Sequence, residues 1–292
     1  DFLFEIGYVG STGTKFPGYI EVNPAVPGPG ATLANTQQRR LHRDYNTVRP
    51  TFSMFNSSYH SLQTSLNKRF SNGYSFLLSY TWSKAIDFQS SVNLGDPRPQ
   101  DAFSLKDVRG LAIYDARHRL VLSYNWELPF FRRATGAMKT LLGGWQANGI
   151  TAFQSGFPLT ATEPTDLSLR GLTADRPDQV GNPNQGAPRR VEEWFNRSAF
   201  VRLSAAAGGQ RSGTAGRNTI IGPGTNNWDF SLFKNFALRE EHTLQFRAEF
   251  FNLFNHPNFD APGTNIGAPA TFGVISGSRP GRIIQAGLKY SF

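Results

Sequence analysis

The sequence contains no cysteine, so it offers neither a disulfide framework nor a Cys nucleophile. It has no run of about 18 apolar residues, which excludes a transmembrane helix. Charge is sparse, with Asp, Glu, Lys and Arg at 17% of the 292 residues, and the mean hydropathy of −0.39 is not that of a helical membrane protein. No His-Glu-x-x-His pattern occurs, and Gly213-Thr214-Ala215-Gly216 lacks the Lys-Ser/Thr ending that grips phosphate in a P-loop. Asp96, Asp101, Asp107 and Asp115 lack the one-three-five spacing of a calcium loop. Glu192-Glu193 has no second acidic motif to complete a glycosidase pair. His118, between two arginines, and His256, before Pro257, read as hydrogen-bonding residues at strand ends. The expectation is a protein that is not an enzyme and holds no metal or cofactor.

Two things are abundant. Aromatic residues reach 13%, with 25 Phe, and Lys plus Arg exceed Asp plus Glu to give a net charge of +9. The basic residues are spread along the chain, and no helix-turn-helix, zinc-finger or RRM pattern accompanies them. Nucleic acid is therefore not expected as a partner. Attraction to anionic lipid head groups or an acidic surface polymer fits the excess better, beside a merely solvated basic surface.

The aromatics are arranged at period 2, the spacing of a strand with two unlike faces. In the last stretch Ile284, Ala286, Leu288, Tyr290 and Phe292 share one face, while Gln285, Gly287, Lys289 and Ser291 share the other. Phe2, Phe4, Ile6 and Tyr8 alternate in the same way, so the sequence opens inside a strand with no leader ahead of it. That reads as a mature form or a piece of a longer protein. Further alternating stretches run over 59–70, 74–83, 118–128, 145–154, 228–236 and 244–254. Ser71-Asn72-Gly73 supplies a hairpin turn, and a short helical turn is expected within 137–142. Stretches 11–56, 87–116, 156–227 and 257–281 are rich in Pro, Gly and Asn and read as loops.

Connector length sorts these strands. The connectors run long, short, long, intermediate, very long, short, long, so each long one falls at one end of the strands and each shorter one at the other. The fold expected is all-β: an antiparallel up-and-down transmembrane β-barrel with long extracellular loops and short periplasmic turns, of which residues 1–292 form a single C-terminal segment. Its place is the bacterial outer membrane, with outer-membrane lipid as its surroundings. Tyr19, Trp194, Phe195 and Phe200 in the loops read either as a capture surface for an extracellular substrate or as packing between loops.

Seven blocks carry a family resemblance: Tyr59-His60-Ser61-Leu62-Gln63, Ser79-Tyr80-Thr81-Trp82-Ser83-Lys84, Asp115-Ala116-Arg117-His118-Arg119, Gly143-Gly144-Trp145-Gln146, Gly216-Arg217-Asn218, Asn227 to Asn235, and Phe246 to Phe259. In this order they resemble the C-terminal barrel of Oar-like TonB-dependent receptors. The resemblance implies a barrel of about 22 strands plugged by an N-terminal domain. It also implies contact with the TonB energy-transducing complex through that plug, which these residues do not include. A passive or structural outer-membrane barrel, pore or adhesin, is the alternative. Terminal Leu288, Tyr290 and Phe292 resemble the signal read by the barrel assembly machinery. Polar residues assigned to the inner face, and so to a lumen, are Gln63, Asn67, Arg69, Arg119, Asn125, Glu127, Gln146, Asn148, Arg247 and Glu249. They are expected to touch the plug or a passing solute.

Overall fold

A computed structural model describes residues 1–91, 99–101, 104–172, 175–204, 211–239 and 242–292. Eight long strands form one sheet in chain order: β1 (Phe2–Tyr19), β2 (Thr51–Ser71), β3 (Tyr74–Asp87), β4 (His118–Glu127), β5 (Trp145–Gln154), β6 (Thr225–Arg239), β7 (His242–Phe251) and β8 (Ile283–Ser291). Every neighbouring pair is antiparallel. A two-residue strand, Gly110–Leu111, pairs with the end of β3. The sheet is open, since β1 pairs only with β2 and β8 only with β7.

The register fixes two unlike faces. Phe4 lies opposite Leu66, Leu66 opposite Leu78, Leu78 opposite Leu122 and Leu122 opposite Thr151. The same row continues through Trp228, and the next rows link Phe230 to Phe250 and Phe250 to Ile284. This apolar face is open to its surroundings: Phe4, Ile6, Tyr8 and Leu288 are all more than 60% exposed. The other face carries Gln63, Asn125, Asn148, Arg247 and similar residues at the intervening positions. A one-residue slip of any strand would exchange the two sets, so the pattern pins the register.

At one end of the sheet the turns are tight. Asn72 and Gly73 adopt φ of 53° and 85°, the positive values that a two-residue turn between β2 and β3 needs. The connector between β4 and β5 holds helix α1 (Gly136–Leu142), close to the helical turn expected from the sequence. Residues 240–241, in the expected turn between β6 and β7, lie outside the described residues. Here two lysines sit on the apolar face, each nearly buried at 2% and 4% exposure for Lys68 and Lys234. Lys68 Nζ donates to the carbonyls of Ser71 (2.9 Å) and Tyr74 (3.1 Å) and lies 3.9 Å from the centre of the Tyr74 ring. Lys234 Nζ donates to the Gly143 carbonyl beneath the Trp145 and Phe236 rings. Both ammoniums thus find carbonyl acceptors at the turn end of the sheet.

At the opposite end run the four long connectors, 20–50, 88–117, 155–224 and 252–282. Their extents differ from the sequence expectation. Residues 11–19 and 51–56 extend β1 and β2 instead of belonging to a loop, because the backbone pairing from Phe16 to Tyr19 persists past a bulge that the Pro- and Gly-rich composition hides. Phe254 leaves the β7 pattern: Asn252 and Asn255 take φ of 53° and 52°, which turns the chain and sets the Phe254 ring edge-on to Trp228 at 5.4 Å.

Candidate functional site

The long connectors pack into a roof with a core of its own. Ala161, Phe195, Ala199, Phe200, Ala215, Ile220, Ile266 and Phe272 form a buried cluster, with Leu159 and Trp194 against it. Phe195 and Phe272 meet edge-on at 5.1 Å. Of the two readings of the loop aromatics, packing is what Trp194, Phe195 and Phe200 do. The described residues of connector 155–224 fold with little repeating secondary structure, because this cluster supplies the apolar burial that such structure would otherwise organise.

Buried charge ties the connectors together. The Arg217 side chain is fully buried and pairs with Asp87 at the end of β3, while its Nε donates to the Val108 carbonyl at 2.9 Å. Asn218, at φ 59°, accepts from Thr160 Oγ1 (2.8 Å) and donates to the Leu111 carbonyl (2.6 Å). The Gly216-Arg217-Asn218 block is therefore one point where connector 155–224 locks onto connector 88–117. Arg176, equally buried, donates to the Asp107 carbonyl at 3.0 Å and to its carboxylate at 3.3 Å. Gln100 donates to that same carboxylate at 2.6 Å. Connector 20–50 joins through Arg39, which donates to the Leu169 carbonyl at 2.7 Å. Connector 252–282 joins through backbone bonds such as Ile266 N to the Thr162 carbonyl at 3.0 Å.

The acidic residues weighed from the sequence are parts of this framework. Asp101 pairs with Arg170 at 3.0 Å, and Asp115 accepts from the Ala85 amide at 2.6 Å; Asp96 lies outside the described residues. Glu193 reaches only Arg197, at 4.0 Å. Burial pushes the Glu163 carboxyl up, but hydrogen bonds from Arg202 and Thr165 outweigh it and hold the group below its usual range. The hydrogen bonds from Arg211 hold Asp178 low. Asp175 goes the other way: burial raises it to about 6 despite hydrogen bonding from Ser168, and its Oδ1 has no partner.

Below the roof lies the polar face. All ten residues assigned to it from the sequence fall there by register: Gln63, Asn67 and Arg69 on β2, Arg119, Asn125 and Glu127 on β4, Gln146 and Asn148 on β5, Arg247 and Glu249 on β7. They do not converge on one spot but line four strands along their length. Asn125 stands opposite Asn148, and their Oδ1 and Nδ2 atoms respectively are buried without a hydrogen-bond partner. Glu127 pairs with Arg132 at 3.3 Å, and Arg247 donates to Gln245 at 2.5 Å while lying over the Phe233 ring. Among the described residues no ion pair is formed by Arg69, Arg119, Arg247 or Glu249. The two catalytically suspect histidines have structural partners. His118 Nδ1 meets the Tyr80 hydroxyl at 2.8 Å, and the backbone of His256 is held by both ends of the Asn252 amide.

An apolar sheet face this large and this exposed has no place in water. The shortest strands, β4, β5, β7 and β8, span 9 or 10 residues, the length that crosses a bilayer at the usual tilt. A family model described as an outer membrane beta barrel domain matches residues 1–285. The chain belongs to that outer-membrane β-barrel family. It is an outer-membrane protein of bacteria, its apolar face toward lipid and, by the rule of such barrels, its long connectors outside the cell. Among solved structures it is similar to the outer membrane transporter YddB from Escherichia coli, at 10% identity and a TM-score of 0.47. That likeness covers 100% of this chain and 30% of the transporter's. No curated protein matches the chain.

Proposed function

We propose that this chain forms part of the wall and the outer roof of a transport barrel, and that the whole protein is a TonB-dependent receptor taking up a substrate from outside the cell. One observation carries the reading. A polar face bearing Arg69, Arg119, Arg247 and Glu249, none of them in an ion pair among the described residues, runs the height of a wall whose other face is apolar. Arg247 and Glu249, partly buried, favour a partner that supplies counter-charge and hydrogen bonds, and a plug domain or a polar solute does so. The roof is consistent with this role, since connectors bound to one another by Arg217 and Arg176 present a shaped surface rather than loose loops. The sequence blocks quoted above carry the resemblance to Oar-like receptors. In this reading the open edges of β1 and β8 pair with further strands of the same barrel, since unpaired backbone is not tolerated in lipid.

Uptake separates the possibilities. Cells making the protein are offered labelled sugars, peptides and iron chelates, with and without an uncoupler and with and without TonB. The proposal expects one class to accumulate only when both the proton gradient and TonB are present. Accumulation that survives their loss means a passive pore, and accumulation of none of the panel favours an adhesin or structural barrel.

A further inference from the structure

We propose that the outer end of the lipid-facing surface carries a site for a lipid phosphate group, built from Lys84, His60 and His118. Lys84 lies directly opposite His60 across β2 and β3. His118 lies opposite Trp82, the next residue of β3 on that face. Directly opposed side chains in a sheet stand about 5 Å apart and diagonal ones about 7–8 Å, so the long Lys84 side chain, on the strand between the two histidines, can share a phosphate head group with either. All three side chains are exposed.

The two imidazoles are held alike. Tyr8 Oη lies 2.6 Å from His60 Nδ1 and Tyr80 Oη lies 2.8 Å from His118 Nδ1, each ring pair stacked with centroids 6.1 and 6.2 Å apart. With the tyrosine hydroxyl donating to Nδ1, the ring proton resides on Nε2, which then faces away from the tyrosine as a donor. In that tautomer two oriented N–H donors and one ammonium lie within two residues of one another along the strands. No Asp or Glu lies on this face of any of the eight strands among the described residues, so an anion arriving here meets cations and donors alone.

The other end of the same face holds a like pair, Tyr290 Oη on His242 Nδ1, and the two ends differ in their lysines. Lys68 and Lys234 are buried and engaged with turn carbonyls. Lys84 makes no hydrogen bond or ion pair among the described residues. From Phe76, the partner of Lys68, to Lys84 is eight residues of β3. That is about 27 Å along the strand, or roughly 20 Å of bilayer at a barrel strand's tilt, near the thickness of the apolar band. Lys84 thus falls at head-group depth when Lys68 sits at the opposite interface. Trp82, half-exposed beside it, is the residue type that occupies that depth. The occupant is lipid rather than a dissolved anion because Trp82, Leu62, Tyr80 and Leu120 surround the donors with acyl-chain-facing surface.

The test uses the purified protein reconstituted in phosphatidylcholine vesicles containing diphosphorylated lipid A or, in parallel, its dephosphorylated form. Lipid A that stays with the protein after mild detergent extraction is counted. The K84Q/H60Q/H118Q variant is compared with the native protein and with Lys289→Gln, which removes a charge from the opposite face. Native protein and Lys289→Gln are expected to retain the phosphorylated lipid equally, and the triple variant about fivefold less, the effect of a single cation at an anionic membrane surface being about that size. The single Lys84→Gln change, at an exposed position, should move retention the same way even if the triple variant assembles poorly. Equal retention by native and Lys84→Gln proteins, retention indifferent to the lipid's phosphates, or displacement by inorganic phosphate would each overturn the proposal.

Discussion

Asp175 is the residue whose environment is most at odds with its charge. It is 2% exposed, its Oδ1 is unpartnered, and burial raises its pKa from 3.8 to about 6. A folded-state value above the unfolded one means that the roof gains stability when this group is protonated. The gain is full below pH 4 and is lost as the pH rises through about 6. Loop amides around Ser168, corrected for the intrinsic pH dependence of exchange, should therefore be better protected at pH 4.5 than at pH 7.5, by up to about 2 kcal/mol of local stability. Asp175→Asn should hold the higher protection at both pH values. Arg217 is the opposite case, a buried charge with its counter-charge in place. Arg217→Ala leaves Asp87 buried without its counter-charge, with the Ser90 hydroxyl still donating to it, at a cost of about 3–5 kcal/mol. Limited proteolysis should then cut connectors 88–117 and 155–224 while the strands remain inserted. None of this was legible in the sequence. Arg176 and Asp107 are separated by 69 positions and Arg217 and Asp87 by 130, and nothing in a linear pattern tells a buried arginine from a solvated one.

At the scale of elements the sequence was far more informative, for a physical reason. A strand in lipid on one side and polar surroundings on the other must alternate, and Leu120, Leu122 and Tyr124 against Arg119, Ser123 and Asn125 do so. The ten polar residues fall on one face because each was read from that alternation. Where the alternation ends, the reading failed: β1 and β2 run on through Gly18 and Pro17 toward the roof, beyond the lipid, where either face can be polar. Leu122→Arg places a cation on the lipid side midway along β4, costing about 2–4 kcal/mol. Heat-modifiable mobility in outer-membrane fractions should show less assembled protein than for Ser123→Arg, one residue away on the other face. Phe292 is 90% exposed, its ring tilted against that of Tyr290 with centroids 5.8 Å apart. Its deletion should reduce assembled protein without changing the roof's protease pattern, as expected if the assembly machinery reads this end.

The whole molecule is a sheet whose two faces meet different solvents, with a bonded roof at one end and tight turns anchored by Lys68 and Lys234 at the other. Connector lengths gave this polarity in the sequence, because a bilayer separates the two ends and a soluble sandwich has nothing to do so. Closure of the wall was not readable, since edge pairing depends on which strands adjoin β1 and β8. The absence of native cysteine makes the central claim directly measurable. Single cysteines placed in turn at residues 119 to 126 of β4 report the surroundings of each side chain, through a probe quenched either by spin-labelled lipid or by a water-soluble agent. The account predicts alternation: lipid quenching at 120, 122, 124 and 126, and no lipid quenching at 119, 121, 123 and 125. Uniform quenching by the water-soluble agent along the strand, or the reverse alternation, would contradict it.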